Sequence, residues 1–305
     1  MRKRVLLTVL INVVIILPIV FLFVSYAKEE SDKTFSFKDT VAIPDWVKRT
    51  NFAIEAGTDI KPKYFLETIQ PVWKSEDEDM VFFNQSRISE REARPMYNVG
   101  FGLRKATSEN YFFGINAFYD YQDLHRHSRG GVGLEALTYE GLEARVNTYL
   151  RISKKYRVNE DAPNEYYEEV ANGLDYELGT PLPFLNFLKV YAGGYWYDFD
   201  HFKNKYGWKF RTEYNPLPYS RLNFEIFDDT KRDSVGYKFE GAVTLAFTSF
   251  SLDDLKKDLY VSKRACPKID VRKQMLNRVV RDFDITVIKS TKSKATGLTV
   301  EGGKT

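Results

Sequence analysis

Three histidines are the side chains of this 305-residue chain best suited to hold a metal ion or move a proton: His125, His127 and His201. His125-Arg126-His127, with Asp123, Asp198 and Asp200 as candidate partners, has the residue types for a metal site or a His–Asp pair. Two imidazoles at i and i+2 can point the same way along an extended chain and share one ligand. Arg126 and Arg129 would repel a cation there, so the plainer reading of this stretch is a solvated loop. Gly130, Gly131 and Gly133 imitate a phosphate-binding string, but they open a strand, so no helix N-terminus would face a phosphate. Glu135 and Glu143 could face each other across adjacent strands. With Arg104 and Arg145 available as partners, they read as structural ion pairs in place of a glycosidase pair. The run Glu76-Asp77-Glu78-Asp79 reads as a wet turn, with calcium as the alternative. A single cysteine, Cys266, excludes an intrachain disulfide and a multi-cysteine zinc or iron–sulfur centre. No catalytic, cofactor-binding or metal-ligating residue is therefore assigned, and neither an enzyme activity nor a cofactor is expected.

The elements around these residues are more informative. Forty-five basic and 42 acidic residues leave a formal charge of +3, which supplies no field for nucleic acid. Aromatic residues make up 15% of the chain, a composition suited to the aromatic girdles of membrane barrels. Arg2, Lys3 and Arg4 precede an apolar run from Val5 to Val24, and Ser25-Tyr26-Ala27 offers a small-residue cleavage site. Residues 1–27 thus read as an export signal, with an uncleaved inner-membrane anchor as the alternative, since the run is long and Pro18 interrupts it. Residues 28–49 are polar and read as a short periplasmic lead-in.

From residue 50 to 250 the period is two. In 141–151, Leu142, Ala144, Val146, Thr148 and Leu150 share one face, and Glu143, Arg145, Asn147 and Arg151 share the other. The same alternation recurs at 50–59, 96–105, 110–120, 130–139, 170–179, 188–198, 205–214, 221–227 and 235–247, with weaker stretches at 63–73 and 79–87. About twelve segments of about ten residues predict an all-β fold, a transmembrane antiparallel up-and-down barrel. A soluble sandwich or lipocalin-like barrel is the alternative. Strand length, glycines on the polar face and aromatics at strand ends such as Tyr195-Trp196-Tyr197 favour the membrane form. The polar face then lines a pore, with Arg104, Glu135, Glu143, Arg145, Lys209, Arg211, Glu213 and Glu240 as pore-lining candidates. Short connections at 139–141, 180–183 and 215–218 predict one rim. Longer loops at 120–130, 153–169 and 198–204 predict the other, outer one. After Phe250 the pattern changes: 253–260 suggests a helical turn and 270–282 is helix-like. Residues 251–290 are expected to be a linker, and 291–305, rich in Lys, Thr, Ser and Gly, a disordered tail.

The segments 67–88, YNVGFGLR (97–104), FFGINAFYDYQ (112–122), RGGVGLEALT (129–138) and LNRVVRDFDITV (276–287) resemble the membrane domain of the intimin/invasin family, the inverse autotransporters. The resemblance covers residues 50 to about 290 and is most specific over 97–138. It implies a twelve-stranded outer-membrane barrel of a Gram-negative-type bacterium, with its N-terminus in the periplasm. It further implies a linker threaded back through the pore, assembly by the barrel-assembly machinery with periplasmic chaperones, contact with outer-membrane lipid, and display or adhesion at the surface. Members usually carry strand-rich passengers, whereas this sequence shows none as far as Thr305. Three readings stay open: a truncated product, outside loops that bind a host or cell-surface ligand, or display of a short tail. A passive porin-like channel and an outer-membrane barrel hydrolase with a loop-borne site are the alternatives from other functional classes.

Overall fold

Strands with one apolar and one polar face can cross lipid only if the sheet closes on itself, because an open edge would leave backbone groups without partners. That is the architecture found. The computed structural model describes residues 35–36, 44–92, 94–107, 109–161, 164–217, 219–245, 249–250 and 268–301; the expected signal at 1–27 lies outside them, as do Cys266 and the expected turn at 253–260.

In chain order the elements are β1 (Phe35–Ser36), α1 (Asp45–Lys48), β2 (Thr50–Gly57), β3 (Ile60–Lys74), β4 (Met80–Arg91), β5 (Arg94–Thr107), β6 (Tyr111–Gln122) and β7 (His127–Thr138). Then come β8 (Glu143–Arg151), β9 (Tyr156–Asp161), β10 (Asn164–Val170), β11 (Asn172–Leu182), β12 (Leu185–Asp198), β13 (Lys205–Leu217), β14 (Ser220–Asp229) and β15 (Gly236–Thr244). The chain continues with β16 (Ser249–Phe250), one 3-10 turn (Arg272–Gln274), β17 (Val287–Ser293) and β18 (Thr299–Glu301). β2 to β8 and β11 to β15 form a closed antiparallel barrel of twelve strands. β15 closes on β2, with Glu240 opposite Glu55 and Ala242 opposite Ala53. The lower rim holds the barrel's first and last residues, Thr50 and Thr244; the upper rim holds the longer connections.

Burial alternates residue by residue. Val99, Phe101, Ile115, Leu134 and Leu178 face outward and exposed, while Gln85, Asn98, Arg104 and Glu177 face inward and buried. A polar interior inside an apolar exterior inverts the pattern of a soluble barrel and suits a lipid surround. Outward aromatics gather near both rims: Tyr64, Tyr97, Tyr119, Trp196 and Tyr206 above, Trp73, Tyr111, Phe113 and Phe184 below. Glycine on the inner face makes room for large side chains. A Cβ at Gly102 would lie 2.3 Å from the Phe83 ring, and one at Gly100 would lie 2.4 Å from that of Phe118. Ile115 sits midway along β6 on the outer face. Ile115→Arg is expected to cost about 2–4 kcal/mol of barrel stability in a bilayer. Denaturant unfolding in lipid vesicles measures this, and an unchanged midpoint would contradict a lipid-facing position.

Several expectations need correction. The barrel closes at Thr244, and β16 pairs with β1 in a separate two-stranded ladder. The stretch at 120–130 is mostly strand: β6 runs to Gln122 and β7 starts at His127, because Asp120 and Arg129 continue the inward polar pattern as register partners. The stretch at 153–169 builds the hairpin β9–β10. The tail expected to be disordered is ordered as far as Glu301, since β17 pairs along the free edge of β10 and β18 pairs with β17. The alternation of Val287, Lys289, Thr291 with Ile288, Ser290 explains that strand, and Gly297, at φ +69°, permits the turn into β18. Finally, 270–282 forms no α-helix: 3-10-type turns run from Val271 to Asn277, and beyond them the curved wall takes the backbone hydrogen bonds.

The lumen and the segment inside it

A segment inside a barrel has no neighbouring strand, so its backbone must find partners in its own turns or on the wall, chiefly among the wall's side chains. Residues 268–286 do this along the whole height of the lumen. At the lower rim the Ile269 amide donates to the Tyr139 carbonyl at 2.7 Å, and Arg272 Nε donates to Asp79 Oδ1 at 2.6 Å. Higher up, one Arg104 nitrogen donates to the carbonyls of Met275 (2.9 Å) and Asn277 (2.5 Å). Gln85 makes a reciprocal pair with Val279, accepting from its amide at 2.7 Å and donating to its carbonyl at 3.3 Å. Asn147 donates to the Val280 carbonyl at 3.3 Å and Asn98 to that of Phe283 at 3.1 Å. Tyr149 Oη accepts from the Asp282 amide at 2.8 Å. At the top the Ala171 amide donates to the Thr286 carbonyl, and the chain passes into β17.

Apolar side chains seat the segment against one half of the wall. Val271, Met275, Val279 and Phe283 pack with Ile69, Val81, Phe83, Phe112, Phe118 and Leu137 in one buried cluster. Charge fixes its height. Arg281 reaches Asp120 with two nitrogens at 2.9 Å, and Asp120 also accepts from Arg129 Nε at 2.8 Å and Asn98 at 2.8 Å. Lys63 holds Asp284 at 3.0 Å, and the Tyr197 hydroxyl donates to Asp282.

The eight residues expected from the sequence to line a pore all face the lumen, but only some meet the segment. Arg104 does so directly while making a bidentate pair with Glu135 (2.7 and 3.0 Å). Glu240 lies 3.5 Å from Arg278 of the segment and 3.1 Å from Arg221 of the wall. The remaining five form a network on the opposite wall. Arg145 pairs with Glu143 and, at 2.9 Å, with Glu177, which Arg211 grips with two nitrogens (2.9 and 3.1 Å). Glu213 accepts from Arg211 at 3.1 Å, and Lys209 lies 4.0 Å from Glu177. Between this wall and the segment lie cavities of about 690 Å³ below and about 270 Å³ above. Gln85, Asn98, Asp120, Arg129, Asn147 and Tyr149, which grip the segment most closely, are not singled out by the sequence. Period-two alternation places several of them on the inner face, yet nothing local marks them as ligands of a chain segment distant in sequence.

Two of the three histidines come together. His125 Nδ1 and His127 Nε2 both meet Glu168 Oε2, at 2.7 and 2.9 Å, and neither meets Asp123, Asp198 or Asp200. Burial pushes the Glu168 carboxyl up, and the hydrogen bonds from His127 and then His125 more than reverse this, holding it at about 2.

A family model described as "Inverse autotransporter, beta-domain" matches residues 25–282. Among curated proteins, the chain is 31% identical over 147 residues to the inverse autotransporter adhesin YeeJ of Escherichia coli (strain K12), covering 47% of this chain and 6% of that protein. It is 32% identical over 120 residues to the putative attaching and effacing protein homolog of the same strain, covering 39% and 38%. It is 32% identical over 105 residues to the invasin of Yersinia enterocolitica, covering 34% and 12%. The match thus spans well under half the length of each of these relatives. A solved chain described as "Unveiling the Mechanism Behind the in-meso Crystallization of Membrane Proteins" shares the fold, with a TM-score of 0.60 at 19% identity over 78% of this chain and 98% of that one.

Proposed function

This chain belongs to the inverse autotransporter β-domain family, and from that premise we propose that it anchors and exports its own C-terminal segment. The barrel sits in the outer membrane; its lower rim faces the periplasm and its upper rim the cell surface. Residues 268–286 are then the transit segment, and everything from Val287 onward stands outside. One observation carries this reading: the wall meets the backbone of the segment at successive heights, through the Tyr139 carbonyl at one rim, the side chains of Arg104, Gln85 and Asn98 between, and the Ala171 amide at the other rim. A casual occupant of a pore would not find amide-type partners matched to its carbonyls over such a length.

The wall supplies donors and acceptors to the chain passing through it and has no chemical step to perform. His125 and His127 converge on a carboxylate and not on a hydroxyl or thiol nucleophile, so we assign no enzymatic role. Insertion through the barrel-assembly machinery with periplasmic chaperones is part of the same proposal. The relatives named adhesin and invasin suggest attachment through what is displayed, with the upper-rim connections at 152–171 and 199–204 as a second binding surface.

A small folded reporter fused after Thr305 tests export. The reporter is expected at the surface of intact cells, where added protease removes it while the barrel persists. Retention of a protected reporter in the periplasm, with a correctly folded barrel, would contradict the proposal.

A further inference from the structure

The turn between β6 and β7 carries an arrangement that export does not use. Arg126 takes a left-handed φ of +53°, which folds the chain so that His125 and His127 turn toward one point. Their rings meet edge to face at 5.8 Å. Glu168 of β10 reaches that point from the surface hairpin, so three elements of the upper rim converge there. His125 Nδ1, His127 Nε2 and a Glu168 oxygen all lie within 4.8 Å of one another. The His127 side chain is fully buried, that of Glu168 is 9% exposed, and that of His125 is 26% exposed.

We propose that His125, His127 and Glu168 form a binding site for a borderline divalent transition-metal ion, zinc foremost, which staples the surface hairpin to the barrel rim. Two imidazoles and one carboxylate are a common donor set for zinc, with water in the fourth position. Bonds of about 2.0–2.1 Å at tetrahedral angles separate ligand atoms by about 3.3 Å. The present separations of 2.7 and 2.9 Å from Glu168 therefore open by about half an ångström to admit the ion, and the two imidazole nitrogens, within 4.8 Å of each other, settle to the same spacing. Donor type argues against calcium or magnesium, which take oxygen ligands. The part-exposed edge of His125 leaves a route for the ion and room for the water.

The sequence alone makes Arg126 and Arg129 repellent to a cation. Arg129 instead turns into the lumen, where Asp120 neutralises it and the Asp282 carbonyl accepts from it. The consequence of binding is mechanical. β10 pairs with β17 along its whole length, so an ion joining Glu168 to the β6–β7 turn ties the displayed end of the chain to the barrel.

The test is calorimetric titration of zinc chloride into the full chain folded in detergent micelles and purified through a tag free of histidine. One zinc per chain is expected. His127→Ala and Glu168→Gln should weaken binding by at least the roughly 10–100-fold that loss of an outer-shell partner costs a metal site. His201→Ala, which removes the histidine outside the cluster, should leave the titration unchanged. Glu168→Gln keeps a hydrogen-bonding side chain, and heat-dependent gel mobility shows which variants hold a folded barrel. Cobalt(II) should give the visible spectrum of a tetrahedral centre that zinc then erases. Absence of saturable binding by folded protein would overturn the proposal, as would a one-to-one titration that survives His125→Ala and His127→Ala together.

Discussion

Asp120→Ala is expected to destabilise the folded barrel by about 3–5 kcal/mol, the cost of breaking a buried ion pair from one side. Asp120 is fully buried and accepts hydrogen bonds from Arg129, Arg281 and Asn98. Its loss leaves two guanidiniums inside the barrel without their carboxylate, one on the wall and one on the transit segment. The aromatic faces of Phe118 and Tyr149 lie 4.5 and 5.2 Å from the Arg281 guanidinium and offset only part of that loss. Arg281→Ala should cost much less, because Asp120 then keeps Arg129, although the segment loses its charged anchor. Denaturant midpoints of the two variants in micelles measure the difference. Equal midpoints for Asp120→Ala and the parent chain would contradict the pairing described.

Deleting residues 268–305 should turn a nearly closed barrel into a conducting one. The segment fills the half of the lumen bounded by β3 to β8, and its removal joins that space to the cavities along the charged wall. A barrel of this strand number lies between those filled by their own side chains and open porins, so an emptied lumen is wide enough for ions. Single-channel recording in planar bilayers should show small or absent steps for the full chain and stable steps for the deletion variant. The deletion also bares Phe83, Phe112, Phe118 and Leu137 to water, which should lower the denaturant midpoint. Equal, high conductance in both forms would favour a passive channel over an occupied export pore.

Much of the barrel is legible in the amino-acid sequence. Period-two alternation locates all twelve barrel strands, because lipid on one side and a wet lumen on the other impose opposite chemistry on successive residues. It also places Arg104, Glu143, Arg211 and Glu240 on the inner face, since side-chain direction follows from position parity alone. Tertiary pairing is not legible in the same way. Residues 270–282 carry apolar side chains at helical spacing, at Val271, Met275 and Val279, yet only 3-10-type turns form, from Val271 to Asn277, because the barrel wall takes the backbone beyond them. The tail from Thr291 has the composition of an unstructured segment, and only pairing to β10 and β17 gives it strand structure. Glu168 cannot be matched to His125 and His127 from local sequence because a hairpin more than forty residues on brings it there, the separation being 43 and 41 positions.

The account stands most directly on which compartment each part of the C-terminal segment sees. Single cysteines at Lys273, Val279 and Leu298, each with Cys266 replaced by Ser, can be tested with a membrane-impermeant maleimide. Lys273 is largely exposed at the lower rim, Val279 is buried mid-lumen, and Leu298 is exposed beyond the upper rim. The account predicts labelling of Leu298→Cys in intact cells, of Lys273→Cys only after the outer membrane is opened, and of Val279→Cys in neither case. Labelling of Lys273→Cys in intact cells, or of Leu298→Cys only in opened ones, would contradict it.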